Sequence, residues 1–512
     1  MHCNTWSVSS LALWWLVAAG GVVVDACQRV RHEQHPTPLK KRESAAPLPA
    51  PLTPDEETLV RAISNTALSE WSYYYTHGQH LAGKNQTMAQ WTADRWTESG
   101  IPSGLVSYNV YLNYPVSQSL RLRNPSSVQR GSVQIIPTYP GDPTTPGYPS
   151  KEGVPRTDQF VVTPRIPSLP ISYADAIPLL VADGQWKPKR NVVLCSWDAE
   201  EYGMVGSTEW VEEYLPWLNA TAVSYLNIDI GASGPHPGLA ATPELHDVAV
   251  ETMKKVMWME TNRTMFDVWN EESQGYIDVL GSGSDYTAFV ASGIGAVDVG
   301  SGNGGSDPVY HYHSNFDSYH WMTTYGDPGF VSHKSMAQYL TLLAYKLADA
   351  DLIPFNISTY GTEMNDYFAD LEKTVNSTSL ALDLSPLRDA IDDFAAQASA
   401  LGALQQQLLL SSDSDPQSSS PFDDDAATAA LLASVNQKSR DFQRGFVSQG
   451  GLPGREFYKH VVFAPGVDTG YAAATFPGIT EALVQARNGT LAAEWVRKTA
   501  AAIKVAADIV KP

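Results

Sequence analysis

Residues 191–210 confine the fold of this chain more than any other stretch. The apolar run Asn191-Val192-Val193-Leu194-Cys195 meets a sharp polar turn, Ser196-Trp197-Asp198-Ala199-Glu200-Glu201-Tyr202-Gly203, and then an amphipathic segment over 204–210. That order predicts strand, loop and helix. Open α/β sheets form their ligand sites beyond the carboxyl ends of such strands. Adjacent glutamates elsewhere mostly decorate a solvated helix face. At a strand end, Glu200 and Glu201 point to a division of labour, one carboxylate binding a metal while the other moves a proton. Cys195, inside the apolar run, reads as a small buried hydrophobe rather than a nucleophile.

The rest of the chain bounds this picture. Its 512 residues give room for two or three domains. The net charge of −21 argues against nucleic-acid or anionic-membrane partners, which need a positive field. The apolar run Leu11–Val24, followed by Asp25-Ala26-Cys27, is shorter than the roughly 20 residues of a spanning helix. It reads as a signal peptide over 1–27, with an uncleaved type II anchor as the alternative. A Pro-rich linker or propeptide follows over 28–54, with Lys40-Lys41-Arg42 as a dibasic cleavage candidate. Six Asn-x-Ser/Thr sequons, at Asn85, Asn219, Asn262, Asn356, Asn376 and Asn488, agree with a secretory route to a secreted or vacuolar destination. The three cysteines supply no disulfide framework.

Helical spacing dominates 55–97, and Val106–Leu112 alternates as a strand does. The Pro-, Gly-, Ser- and Thr-rich stretch 124–170 looks loop-like. Between about 191 and 350, strands and helices alternate, which predicts an α/β sheet. Val223–Ile228 and Ile294–Val299 are its further strands, and 336–352 a helix. From 364 onward helical periodicity prevails, interrupted by a Ser- and Asp-rich insertion over 411–425.

Asp229 ends its strand as Glu200 and Glu201 end theirs, and neighbouring parallel strands would bring the three together. The loop Tyr310-His311-Tyr312-His313-Ser314-Asn315-Phe316-Asp317 adds imidazoles. Glu, Asp and His are typical zinc ligands in hydrolases. Neither a Gly-x-Ser-x-Gly elbow nor a His-Glu-x-x-His helix is present, which removes the commonest serine-hydrolase and metalloprotease alternatives. His311, His320 and the pair His77/His80 read as surface or structural residues.

Ser196–Trp210, Tyr225-Leu226-Asn227-Ile228-Asp229, Leu280-Gly281-Ser282-Gly283-Ser284-Asp285-Tyr286, Tyr310–Asp317, Gly454–Val461 and Phe476-Pro477-Gly478-Ile479 together resemble the glutamate carboxypeptidase II and transferrin-receptor-like branch of the M28 zinc peptidase family. The resemblance runs in order from about 55 to 512. It implies a zinc-exopeptidase-like mixed sheet with flanking helices, a remnant of a protease-associated β domain, and a C-terminal helical dimerisation domain. The implied boundaries are 55–123 for the first part of the peptidase domain, 124–170 for the remnant, 171–352 for the rest of the peptidase and 364–512 for the dimerisation domain.

By the same resemblance, Glu200 is the general base, Glu201 and His313 bind one zinc and Asp229 the other. Tyr312 steadies the oxyanion, and Tyr471 lines the pocket for a substrate carboxylate. The expected function is hydrolysis of terminal peptide bonds by a two-zinc homodimeric exopeptidase. The alternative is a catalytically inactive, transferrin-receptor-like scaffold.

The departures matter as much. The family places a further His and a bridging Asp before the glutamate strand. Here only seven residues separate Asp183 from Asn191, too few for the roughly 30 of a βαβ unit. No His lies between His80 and His236. A second shortfall falls between Pro125 and Val128, where the protease-associated domain should begin. The zinc ligand set is therefore expected to be incomplete. The arginine cluster that selects acidic side chains is also missing, so glutamate specificity is not expected.

Overall fold

The computed structural model describes residues 51–78, 81–112, 114, 140–157, 188–412 and 425–512. The expected leader, most of the linker, Cys3, Cys27, His80, the stretch 158–187 and most of the 411–425 insertion lie outside the described residues. Three helices open the described chain: α1 (Pro54–Ala62), α2 (Asn65–Thr76) and α3 (Gln86–Glu98). A capping box starts α1. The Thr53 hydroxyl accepts from the Glu56 amide and the Glu56 carboxylate accepts from the Thr53 amide, with Pro54 at the first helical position. Glu56 is buried and also takes both of its oxygens to within 2.6 Å of Lys255 Nζ, tying α1 to the sheet domain.

The central unit runs α4 (Val205–Thr221), β1 (Ser224–Asn227), β2 (His236–Ala241), α5 (His246–Met253), α6 (Met265–Ser273), α7 (Tyr286–Ala291), β3 (Gly295–Gly302) and α8 (Val331–Asp349). Its sheet is mixed, in the order β1-β3-β2. β1 pairs parallel with β3 in the register Asn227↔Asp298, and β2 pairs antiparallel with β3 in the register His236↔Gly302. β2 reads His-Pro-Gly-Leu-Ala-Ala. Its Pro and Gly weaken any strand signal, yet suit an edge strand.

Two expected strands do not form ladders. Residues 191–197 make no sheet pairing, and Val192, Val193 and Cys195 are exposed. β1 has only β3 as its neighbour, so the apolar run has no strand to pair with among the described residues. It is held at its ends instead: the Arg190 amide donates to Ala348 O at 3.0 Å, and the Trp197 indole donates to the Tyr225 hydroxyl at 3.0 Å. Cys195 thus leaves part of its surface open rather than being fully enclosed as expected, while its thiol is still crowded enough that burial pushes its pKa up to about 12.

The alternating stretch 106–112 is likewise irregular. Its amides turn to residues 140–157, Asn109 N to Ser150 O at 2.6 Å and Tyr111 N to the Asp142 carboxylate at 2.9 Å. The same 140–157 segment docks on α4, because the amides of Asp142 and Ser150 both donate to the buried Glu209 carboxylate, at 2.8 and 2.5 Å.

The C-terminal part consists of α9 (Ile357–Ser377), α10 (Ser385–Ser412), α11 (Asp425–Gly445), a short hairpin of β4 (Phe463–Pro465) and β5 (Ala473–Thr475), α12 (Pro477–Val484) and α13 (Gly489–Val510). One apolar core runs without a break from Val297 and Val299 of β3, through Tyr339 and Leu343 of α8, to Tyr360, Phe394, Phe446 and Trp495. The rings of Phe446 and Tyr360 stack at 4.9 Å, and Phe394 lies 5.6 Å from Phe446. Among the described residues no helix is long and apolar enough to cross a membrane.

A buried carboxylate sits at the seam between sheet and helices. Glu244 is wholly buried. Its Oε1 accepts from Thr242 Oγ1 at 2.8 Å and from Gln443 Nε2 at 2.5 Å. Burial pushes its pKa up to about 7, against the downward pull of these hydrogen bonds and of Arg444. The folded state therefore holds a proton that the unfolded chain releases near its ordinary value. The associated stability is present at acid pH and lost as pH rises toward about 7, on the order of 3 kcal/mol in full. Glu244→Gln removes this titration. Thermal midpoints of the variant and the parent should diverge in the variant's favour between about pH 5 and about pH 8.

Candidate active site

The turn after the unpaired 191–197 segment is the first part of the site. Ala199 (φ 63°), Gly203 (φ 105°) and Met204 (φ 53°) are all left-handed, so the chain coils tightly around Glu200–Tyr202. Two of the three carry side chains, which costs about 1 kcal/mol each. The turn is held from outside: the Gly83 amide donates to the Asp198 carboxylate at 2.8 Å, and Ala82 shares a small apolar cluster with Ala199 and Val205.

Glu200 lies within reach of three other carboxylates. Burial first, then the negative charges of Asp229, Asp285 and Glu201, hold its carboxyl well above the usual range. Asp229 is raised as well, by burial and then by Asp298, Asp285 and Glu201, although a Ser284 hydrogen bond pulls the other way. Glu201 meets the downstream loop, its Oε2 standing 2.9 Å from His313 Nε2. His313 has φ 53° and its ring stacks on Tyr312 at 3.7 Å. The structure thus brings Glu200, Glu201, Asp229, Tyr312 and His313 to one place. The route differs from the expected one, since β3, not the glutamate segment, is the neighbour of β1.

Tyr471 arrives from the C-terminal part. Its carbonyl accepts from the Ser282 amide at 2.9 Å, and its side chain is 44% exposed. A Cβ on Gly281 would stand 1.8 Å from that carbonyl oxygen, so only glycine allows this approach.

Three supporting residues carried no role in the sequence reading. Asp285 is buried, accepts from Ser207 Oγ at 2.5 Å, and is raised by burial. Asp298 accepts from Asn227 Nδ2 at 2.8 Å and is pushed up to about 6 by burial. Asn227 also donates to Ser284 Oγ at 3.0 Å. Asp285 ends the Gly-Ser-Gly-Ser-Asp turn and Asp298 interrupts an apolar strand. A lone acid in such a strand is the signal that could have exposed the second.

The donor types suit zinc, but the gathering falls short. Among the described residues no three His, Cys, Asp or Glu side chains converge as a metal-binding group, whereas zinc sites take at least three protein ligands. Glu201 and His313 supply a facing pair.

A profile of Peptidase family M28 matches residues 176–326, and one of the transferrin receptor-like dimerisation domain matches 382–511. A probable glutamate carboxypeptidase of Arthroderma benhamiae is 38% identical, with 98% of each chain covered. The chain belongs to peptidase family M28. In kind it is a metallo-exopeptidase with a transferrin receptor-like dimerisation domain. A probable glutamate carboxypeptidase LAMP1 of Arabidopsis thaliana is 33% identical over 60% of this chain and 43% of the relative. The aminopeptidase NAALADL1 of Rattus norvegicus is 29% identical over 62% and 42%. These two matches span less than half of each relative. The Arthroderma alignment extends over 729 positions against 512 residues here, so at least 217 of its positions have no counterpart in this chain.

Gly281→Ala tests the joint between the two parts of the site. It should cost about 2 kcal/mol or more of stability by forced overpacking, read as a lowered thermal midpoint, together with faster hydrogen exchange at the Ser282 amide.

Proposed function

We propose that the chain carries part of a two-zinc exopeptidase site that hydrolyses terminal peptide bonds, with Glu200 as general base and Glu201, Asp229 and His313 as the ligands present. The observation that carries this reading is the 2.9 Å meeting of Glu201 with His313 beside the half-buried carboxylates Glu200 and Asp229. Bound zinc, in such enzymes, polarises the carbonyl and lowers the pKa of water. Among the described residues the gathered donors do not close a zinc cage.

The chain's own residues account for the remainder. The Glu200 carboxylate accepts the proton of the attacking water and returns it to the leaving amine. The Tyr312 hydroxyl, beside His313, donates to the developing oxyanion. Tyr471, half exposed against the Gly281–Ser284 loop, recognises a terminal carboxylate of the peptide. Glu200→Gln should lower kcat by about 10²-fold or more, with the fold intact by circular dichroism. Activity equal to the parent's would overturn the assignment.

The large unmatched share of the Arthroderma alignment, inside a match that covers nearly all of both chains, supports reading the two shortfalls at 125–128 and 183–191 as internal losses. In this reading residues 140–157 are the tail of the protease-associated domain, fastened to α4 through Glu209. Metal analysis of the purified chain should then find fewer than two tightly held zincs per chain; two would refute the incomplete ligand set.

The second reading is a catalytically inactive, transferrin receptor-like scaffold. Retention of Glu200, Glu201, Asp229 and His313 together counts against it, and zinc-dependent turnover of any blocked peptide would end it. The dimerisation domain supports a homodimer, which light scattering should report as twice the chain mass. The leader and sequons support a secreted or vacuolar glycoprotein, and Asn219, Asn262, Asn376 and Asn488 are exposed.

A further inference from the structure

His236, the first residue of β2, stands between two carboxylates. Its Nδ1 is 2.5 Å from Glu272 Oε1 on α6, and its Nε2 is 2.8 Å from Asp307 Oδ2. The same Asp307 oxygen accepts from the Gly304 amide at 2.7 Å. A Cβ on Gly304 would lie 2.8 Å from His236 Nε2, so glycine lets the loop close over the ring. Ionised carboxylates only accept hydrogen bonds. Serving both at once requires a proton on each ring nitrogen, which only the imidazolium carries.

This contact joins three elements. β2 and α6 are packed parts of the sheet domain. Asp307 belongs to the loop that leaves β3 at Gly302 and runs on to Tyr310–Asp317. Within that loop Asn303 Nδ2 donates to Pro308 O at 3.2 Å. At its far end Tyr310 donates to Asp317 at 2.8 Å. Tyr312 and His313 follow the first tie and the His236 contact and lie within the second, where His313 meets Glu201 and stacks on Tyr312.

We propose that His236 is a positioning residue of the peptidase site: clamped as an imidazolium between Glu272 and Asp307, it fixes the loop that carries Tyr312 and His313. The site is thereby assembled at acid to neutral pH and loosened in alkali. The roles of Tyr312 and His313 rest on the function proposed above; the clamp itself does not.

The charged groups facing the ring are Glu272 from α6 and Asp307 from the loop. The neighbouring Glu271 is taken by Arg263 at 2.5 Å, and β3 opposes His236 with the backbone of Gly302. Burial of the ring works against its charge, and the two carboxylates outweigh it, so its pKa is raised. For a raised imidazole the sign is fixed. The stabilisation is complete below the unfolded value and is lost as pH rises through the folded one.

Hydrogen exchange over residues 303–313 of the full chain tests this without any substrate. The parent, His236→Gln and Asp307→Asn are compared at about pH 6 and about pH 9, after correction for intrinsic exchange. Protection in the parent should fall about tenfold between the two. His236→Gln should lack this step, since an amide does not titrate, and Asp307→Asn should blunt it. Equal protection in the parent at both pH values, or an unchanged step in both variants, would overturn the proposal. On a peptide substrate, His236→Gln should move the alkaline limb of the kcat profile while leaving the acid limb in place. Failure of turnover in every form, with the exchange step intact, would count against the proposed function and leave the clamp standing.

Discussion

One side-chain amide ties the site to the sheet. Asn227 closes β1 directly opposite Asp298 of β3, and its Nδ2 donates both to that carboxylate and to the Ser284 hydroxyl. The parallel register, the Gly281–Asp285 turn and the start of the Asp229 segment are all fixed by this one group. Ser284 in turn hydrogen-bonds Asp229, so the geometry of the acid cluster follows from the pairing of two short strands. The Gly281 contact extends the same frame to Tyr471 in the C-terminal part.

Around this frame the site crowds acidic groups into a half-buried place. Glu200, Asp229, Asp285 and Asp298 all have raised carboxyl pKa values, and burial is the leading cause for each. Such a cluster is costly unless protons or cations balance it. The left-handed residues Ala199 and Met204 add backbone strain at the same spot, where strain is expected to accompany function. On the far side of the loop, His236 applies the opposite logic, a cation held by two acids.

Much of this was legible in the residues. The motif order identified the family, and Val223–Ile228 and Ile294–Val299 form β1 and β3 with small shifts of boundary. Glu201 and His313, distant in sequence, do meet. The failures share one cause. Asn191–Cys195 and Val106–Leu112 have the composition of strands, yet a strand exists only by pairing with another, and no partner strand stands beside either among the described residues. Asp285 and Asp298 escaped assignment because a single acid carries no periodicity. β2 escaped because Pro237 and Gly238 hide an edge strand.

By itself the sequence determined the chemistry available: the types of the ligating and proton-moving groups, their order, and the shortage of residues between Asp183 and Asn191. Those are properties of a chain, set by composition and spacing. Only the tertiary structure decided which groups share a low-dielectric space. The pKa shifts, the Glu201–His313 contact, the approach of Tyr471 to Gly281 and the clamp on His236 arise between residues far apart in sequence, and such interactions depend on distance and burial rather than on order along the chain.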